Sequence, residues 1–331
     1  MRVTSSFLLL LLAAATPALS QAPELQIADI GDLTLDSGSI LRGVKLGYRA
    51  DGTLNADRSN AVLFPTWFGG TSSDLYAAGA VAPVDTEKFY LITVDALGNG
   101  VSSSPSNSND FPEITIRDMV RAEHALVTKV LGLSELHAVM GISMGGMQTF
   151  EWMTTYPEFM NKAVPIVGSP RLGSYDVLLW ETQLEAIAIA RELGDVERAS
   201  GLLGMVSALA LQTPKYHAKR TPRSKTERWL ESNKSGGGLA VIDIESQLRA
   251  MIAIDVGKSY EGSLERAAAA VKAQVLNIVG SHDHMVTPEP AIRFAELLGA
   301  ESVILDNDCG HLAQSCDGGA SNAAVKRFLE R

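Results

Sequence analysis

The string Gly141-Ile142-Ser143-Met144-Gly145 constrains this chain more than any other stretch. A serine with glycine two positions away on either side fits a sharp turn between a strand and a helix. The glycines let the two backbones approach, and the hydroxyl is left standing above the sheet edge. The flanks agree. His137-Ala138-Val139-Met140 reads as a strand, and Met144 to Tyr156 reads as a helix closed by Pro157. The start of that helix favours developing negative charge. Ser143 is therefore the candidate nucleophile. The bland alternative is a Gly/Ser-rich turn with no chemistry.

A serine hydroxyl needs a base to take its proton, and the base needs a carboxylate to orient it. After a turn of this kind the chain order is serine, acid, histidine. Asp283 directly follows the apolar run Ala273 to Val279, and His311 lies in a loop after the last strand-like run, Ser302 to Leu305. Asp306 and Asp308 are rival acids, but they sit too close in sequence to His311 for this order. Two backbone N–H groups must also face the oxyanion. Met144, next after the nucleophile, supplies one, and Trp67, in the Gly-rich loop after the run Asn60 to Thr66, is the candidate for the other. Phe68, Trp180, Leu184 and Met285 are candidates for an apolar pocket wall.

Up to about Ser169, strand-like runs alternate with helical ones, which predicts βαβ units and a largely parallel sheet. From about Tyr175 to Gly257 the pattern is helical, and the α/β rhythm then resumes. The basic stretch Lys215 to Arg228 reads as a solvated connection. The expected organisation is an α/β core over residues 21–172 and 263–331, interrupted by a helical cap over residues 173–262.

Residues 1–20 read as a secretory signal peptide: a charged start at Arg2, the run Phe7 to Ala15, and the small-residue site Ala18-Leu19-Ser20. The run is shorter than the ~20 residues a bilayer requires, and no later run is long enough to span one. A periplasmic or secreted protein is expected. In an oxidising compartment Cys309 and Cys316, seven positions apart across His311, are candidates for a disulfide. The net charge of −10, with no basic stripe, argues against a nucleic-acid partner. His282, Asp283 and His284 are metal-ligand types, but neighbours on one loop rarely converge on one ion and no third ligand is evident. Neither metal nor cofactor is expected.

The residues resemble the homoserine O-acetyltransferase-like branch of the α/β-hydrolase superfamily. The similarity runs through Thr115-Ile116-Arg117-Asp118-Met119-Val120-Arg121-Ala122 and Ser143-Met144-Gly145-Gly146-Met147-Gln148. It continues in Glu151-Trp152 and Tyr156-Pro157-Glu158, and returns at Asp283, Pro288 and Gly310-His311. The resemblance implies an α/β-hydrolase fold with an inserted helical cap, a Ser143–Asp283–His311 triad, ping-pong acyl transfer and a homodimer formed through the cap. Two departures stand out. The acetyltransferases carry an arginine in the first cap helix to hold the homoserine carboxylate, and Leu184 stands at that position. Their oxyanion loop is of an Ala-Leu-Thr-Gly type, whereas this one reads Thr66-Trp67-Phe68-Gly69. That loop resembles hydrolase-like relatives.

The leading expectation is a secreted or periplasmic serine esterase acting on a small-molecule acyl ester. Acetyl-CoA is cytosolic, so outside the cytosol water becomes the natural acceptor. An acyl-CoA-dependent acyltransferase is the second reading, and a catalytically idle ligand- or partner-binding protein is the third.

Overall fold

The computed structural model describes residues 22–234 and 238–331. The expected leader, residues 1–20, lies outside the described residues. The strands are β1 Gln26–Thr34, β2 Ile40–Asp51, β3 Ala61–Pro65, β4 Tyr90–Val94, β5 Leu136–Ile142, β6 Met160–Ile166, β7 Gln274–Gly280 and β8 Glu301–Leu305. Among the described residues they form one sheet in the order β1-β2-β4-β3-β5-β6-β7-β8. β2 pairs antiparallel with β1 and β4; the remaining pairs are parallel.

The parallel strands are apolar on both faces because helices cover both. Alternation along β3 shows it: Ala61 and Leu63 join the core on one face, Val62 and Phe64 the core on the other. The first face packs helices α2 (Ile116–Ala125) and α3 (Met144–Thr155). The second packs α1 (Ser72–Ala77). Thr115 caps α2, its hydroxyl accepting the Asp118 N–H while the Asp118 carboxylate accepts the Thr115 N–H.

Between β6 and β7 the chain is helical: α4 Ser174–Glu192, α5 Ala199–Leu211, α6 Pro214–Arg220, α7 Thr226–Lys234, α8 Val241–Ile252 and α9 Leu264–Ala270. The basic stretch read as a connection is largely helix α6 and the start of α7. Thr213 accepts the Tyr216 N–H and Pro214 occupies the first turn, both strong helix starts. His217 then packs on Trp229, ring centroids 4.7 Å apart, which fastens α6 to α7. After β7 come α10, Glu289–Leu298, and α11, Ala320–Glu330, which flanks the second core. No helix among the described residues is long and apolar enough to cross a membrane.

Candidate active site

Strand order reverses around β3 and β5, which are neighbours although β4 and two helices separate them in sequence. The carboxyl ends of strands at such a reversal open a crevice for ligands. Leu63 pairs with Val139. Continuing that register sets Trp67, after β3, beside Ser143, after β5. The turn between β5 and α3 is as tight as the glycine spacing predicts. Ser143 has φ 59°, in the left-handed region, and its N–H donates to the Ile166 carbonyl at 2.9 Å. A Cβ on Gly141 would lie 2.2 Å from the Gly145 carbonyl oxygen, and one on Gly145 would lie 2.6 Å from that of Pro65. The glycines thus permit backbone contact on both sides of the serine. Gly146, outside the five-residue pattern, touches the backbone of Gly168 after β6 in the same way.

His311 Nε2 lies 2.8 Å from Ser143 Oγ, and His311 Nδ1 lies 2.6 Å from Asp283 Oδ2. Asp283 Oδ1 accepts the N–H groups of Met285 and Val286 at 2.8 and 3.0 Å. With both oxygens engaged, the carboxylate is fixed and Nδ1 of His311 must donate, which leaves Nε2 free to accept the serine proton. All three side chains are buried, Ser143 least at 9% exposed. Asp306 does not take part; it pairs with His282 at 3.1 Å. Among the described residues no three His, Cys, Asp or Glu side chains cluster as metal ligands.

Met144 opens α3, where the first N–H groups have no acceptor inside the helix. Thr66 N–H makes the last ladder bond, to the Val94 carbonyl at 3.0 Å, and Trp67 follows it beyond the strand. The loop is braced from two sides. Gln148 Nε2, on α3, donates to the Thr66 carbonyl at 3.0 Å, and Gln247 Oε1, on α8, accepts the Gly69 N–H at 2.9 Å. A Cβ on Gly70 would strike Trp67 Nε1 at 2.2 Å, so glycine there makes room for the indole. Gln148 and Gln247 were not singled out from the sequence. Gln148 lies within the resembling string, whereas nothing in the sequence marks Gln247.

Ser143 and His311 open into a cavity of about 820 Å³. Trp67, Phe68, Trp180 and Met285 line it. Leu184 does not. It is one residue past Gln183, a lining residue, and the 100° turn of the helix carries it into the core behind the wall. Phe68 and Trp180 meet edge to face at 5.8 Å, closing α4 against the loop after β3. His311 is the only lining side chain with an ionisable group among the described residues; no Asp, Glu, Lys or Arg reaches the cavity. Cys309 and Cys316 form a disulfide that brackets the turn carrying His311.

Residues 61–315 match the family described as alpha/beta hydrolase fold. The ethyl acetate hydrolase of Pseudomonas veronii is 31% identical over 316 residues, spanning 87% of this chain and 89% of that protein. The homoserine O-acetyltransferase of Geotalea daltonii is 30% identical, spanning 91% and 95%. The crystal structure of an acetylester hydrolase from Corynebacterium glutamicum superposes with a TM-score of 0.85 at 25% identity, over 93% of this chain and 96% of that one. With fold, strand order and motif in agreement, the chain belongs to the α/β-hydrolase family, as an enzyme of its esterase-type branch in which homoserine O-acetyltransferases are the acyl-transferring relatives.

Proposed function

We propose that this protein hydrolyses carboxylic esters with a small acyl group through a covalent intermediate on Ser143. The observation that carries the reading is the Ser143–His311–Asp283 hydrogen-bond chain, at 2.8 and 2.6 Å, on the wall of a cavity that no Asp, Glu, Lys or Arg lines among the described residues. Ser143 Oγ attacks the carbonyl carbon while His311 Nε2 takes its proton. The N–H groups of Trp67 and Met144 hold the oxyanion, and Asp283 stabilises the imidazolium. His311 gives its proton to the departing alcohol as the ester bond breaks. Water then enters, His311 takes a proton from it, and the acid leaves as Ser143 regains its hydrogen. The relatives whose names carry acetate and acetyl esters support a small acyl group.

Hydrolysis is favoured over transfer to an amino acid by the same cavity. An acceptor such as homoserine brings a carboxylate and an ammonium, and burying either without a partner costs several kcal/mol. The resemblance implies that Leu184 stands where the acetyltransferases carry arginine, and Leu184 is not among the residues of the cavity wall. Transfer remains the second reading because the homoserine O-acetyltransferases are full-length relatives. The expected leader places the enzyme in the periplasm or outside the cell, away from acyl-CoA. N-terminal sequencing of the mature protein tests that placement.

The deciding experiment assays the purified protein against p-nitrophenyl acetate, and separately against acetyl-CoA with homoserine. Ester hydrolysis that falls at least 10³-fold in Ser143→Ala is expected. Efficient O-acetylhomoserine formation would overturn the hydrolase reading. Failure of a fluorophosphonate probe to label well-folded protein would favour an idle binding protein.

A further inference from the structure

Two residues of the cavity wall carry buried donors with no partner among the described residues. Trp180 Nε1 and Gln183 Nε2 are both buried and have no hydrogen-bond partner among the described residues. Each residue is 1% exposed, and each lines the cavity that Ser143 and His311 open into. They stand three residues apart on α4, so they share one face of the helix. The Gln183 amide nitrogen makes no hydrogen bond among the described residues. Leaving such groups unpaired costs about 1–3 kcal/mol each, and a core position on α4 is ordinarily filled by an apolar residue, as at Leu184 and Ile187. The contrast with Gln247 is direct: equally buried, it uses both ends of its amide, on Gly69 N–H and the Leu97 carbonyl.

We propose that Trp180 and Gln183 form a specificity subsite for a neutral hydrogen-bond-accepting oxygen that the substrate carries in addition to its ester group. The inference rests on the esterase reading and names a substrate class for it: oxygenated neutral esters, bearing an ether, hydroxyl or carbonyl oxygen. Neutrality follows from the lining. A carboxylate or phosphate at the subsite would meet two neutral N–H donors and no cation. An ammonium would meet no carboxylate. Phe68, against the Trp180 ring, supplies an apolar edge beside the donors, which suits the carbon skeleton around such an oxygen.

The test compares isosteric esters. 2-Methoxyethyl acetate and butyl acetate differ only by oxygen for methylene in the alcohol part. Ethyl methoxyacetate and ethyl butyrate differ likewise in the acyl part. The wild-type enzyme is expected to prefer the oxygenated member of at least one pair by about tenfold in kcat/KM, the effect of one or two neutral hydrogen bonds. In Gln183→Leu and Trp180→Phe that ratio falls toward one. Ratios are taken within each variant, so a general loss of activity cancels. Fluorophosphonate labelling of Ser143 shows that each variant is folded. Hydrolysis of both members with no oxygen preference, or a preference that survives both substitutions, overturns the subsite and leaves the esterase reading standing. Hydrolysis of neither pair by labelled wild-type enzyme overturns both.

Discussion

Ser143 keeps a backbone conformation that side-chain-bearing residues rarely adopt, and the cost is met by the hydrogen bonds and contacts around it. Gly145 is the neighbour on which this depends most, because its Cα faces the Pro65 carbonyl at the root of the loop that carries Trp67. Gly145→Ala sets a methyl 2.6 Å from that oxygen, and the oxygen belongs to backbone that cannot swing away. The variant is expected to lose about 2 kcal/mol of stability and more than tenfold in kcat/KM for p-nitrophenyl acetate, because the loop bearing Trp67 must shift. Thermal denaturation with steady-state kinetics checks both, and near wild-type values in both would show that the loop adapts. This constraint was legible in the sequence because it is local: a strand, a turn and a helix fix it within a few residues. That Asp283 and His311 would meet Ser143 was legible from chain order once the serine was placed. Gln183, Gln247 and the misassigned Leu184 were not. What separates Gln183 from Leu184 is a 100° turn about a helix whose docking on the sheet is decided elsewhere in the chain.

Helices α2 and α3 show a different kind of limit. Their sequences read as helix, and they are helical, but the link between them is a buried charge-bearing group. Trp152 Nε1 on α3 donates to Glu123 Oε2 on α2 at 2.6 Å, and the other Glu123 oxygen has no partner among the described residues. Burial pushes the Glu123 carboxyl up to about 8, only partly offset by that hydrogen bond. A raised carboxylate pKa means the folded state favours the protonated form. That advantage is complete below the ordinary value of 4.5 and is lost as pH rises through about 8. Between pH 5 and pH 8 the unfolded chain ionises freely while the folded chain resists. Glu123 therefore lowers stability progressively across that interval. Glu123→Gln retains an acceptor for the indole and carries no charge. Its melting temperature is expected to fall less than that of wild type from pH 5 to pH 8, with the two curves closest at the acid end. Parallel curves would mean that Glu123 is not the group being titrated. Periodicity marks position 123 as one face of an amphipathic helix and says nothing of the tryptophan that meets it.

Across the whole molecule, the helical insertion between β6 and β7 supplies more than a roof for the cavity. Gln247 on α8 holds the loop after β3 by the Gly69 N–H. Asp176 on α4 does the corresponding work on the other side. Its Oδ1 accepts the Thr287 N–H at 2.9 Å, and its Oδ2 accepts the Thr287 hydroxyl at 2.9 Å and the Gly173 N–H at 3.0 Å. Thr287 follows Met285 and Val286, whose N–H groups hold Asp283. The start of the insertion and the loop that carries the acid of the site are thus one hydrogen-bonded unit. Nothing in the alternation of strands and helices announces that the first turn of α4 grips a loop more than a hundred residues away, since that contact exists only after both segments dock. Burial pushes the Asp176 carboxyl above its ordinary value, with the Asp283 charge adding to the shift, so the three hydrogen bonds offset only part of the desolvation cost. Asp176→Ala removes all three and strands the Thr287 and Gly173 N–H groups, for an expected loss of about 3 kcal/mol. If Asp176 also positions Asp283, kcat for an ester falls about tenfold at temperatures where the variant is fully folded, with little change in KM. Asp176→Asn keeps the Oδ1 acceptor for the Thr287 N–H and is expected to recover part of both losses. A variant that loses stability but retains wild-type kcat would confine Asp176 to holding the insertion in place and assign the orientation of Asp283 to Met285 and Val286 alone.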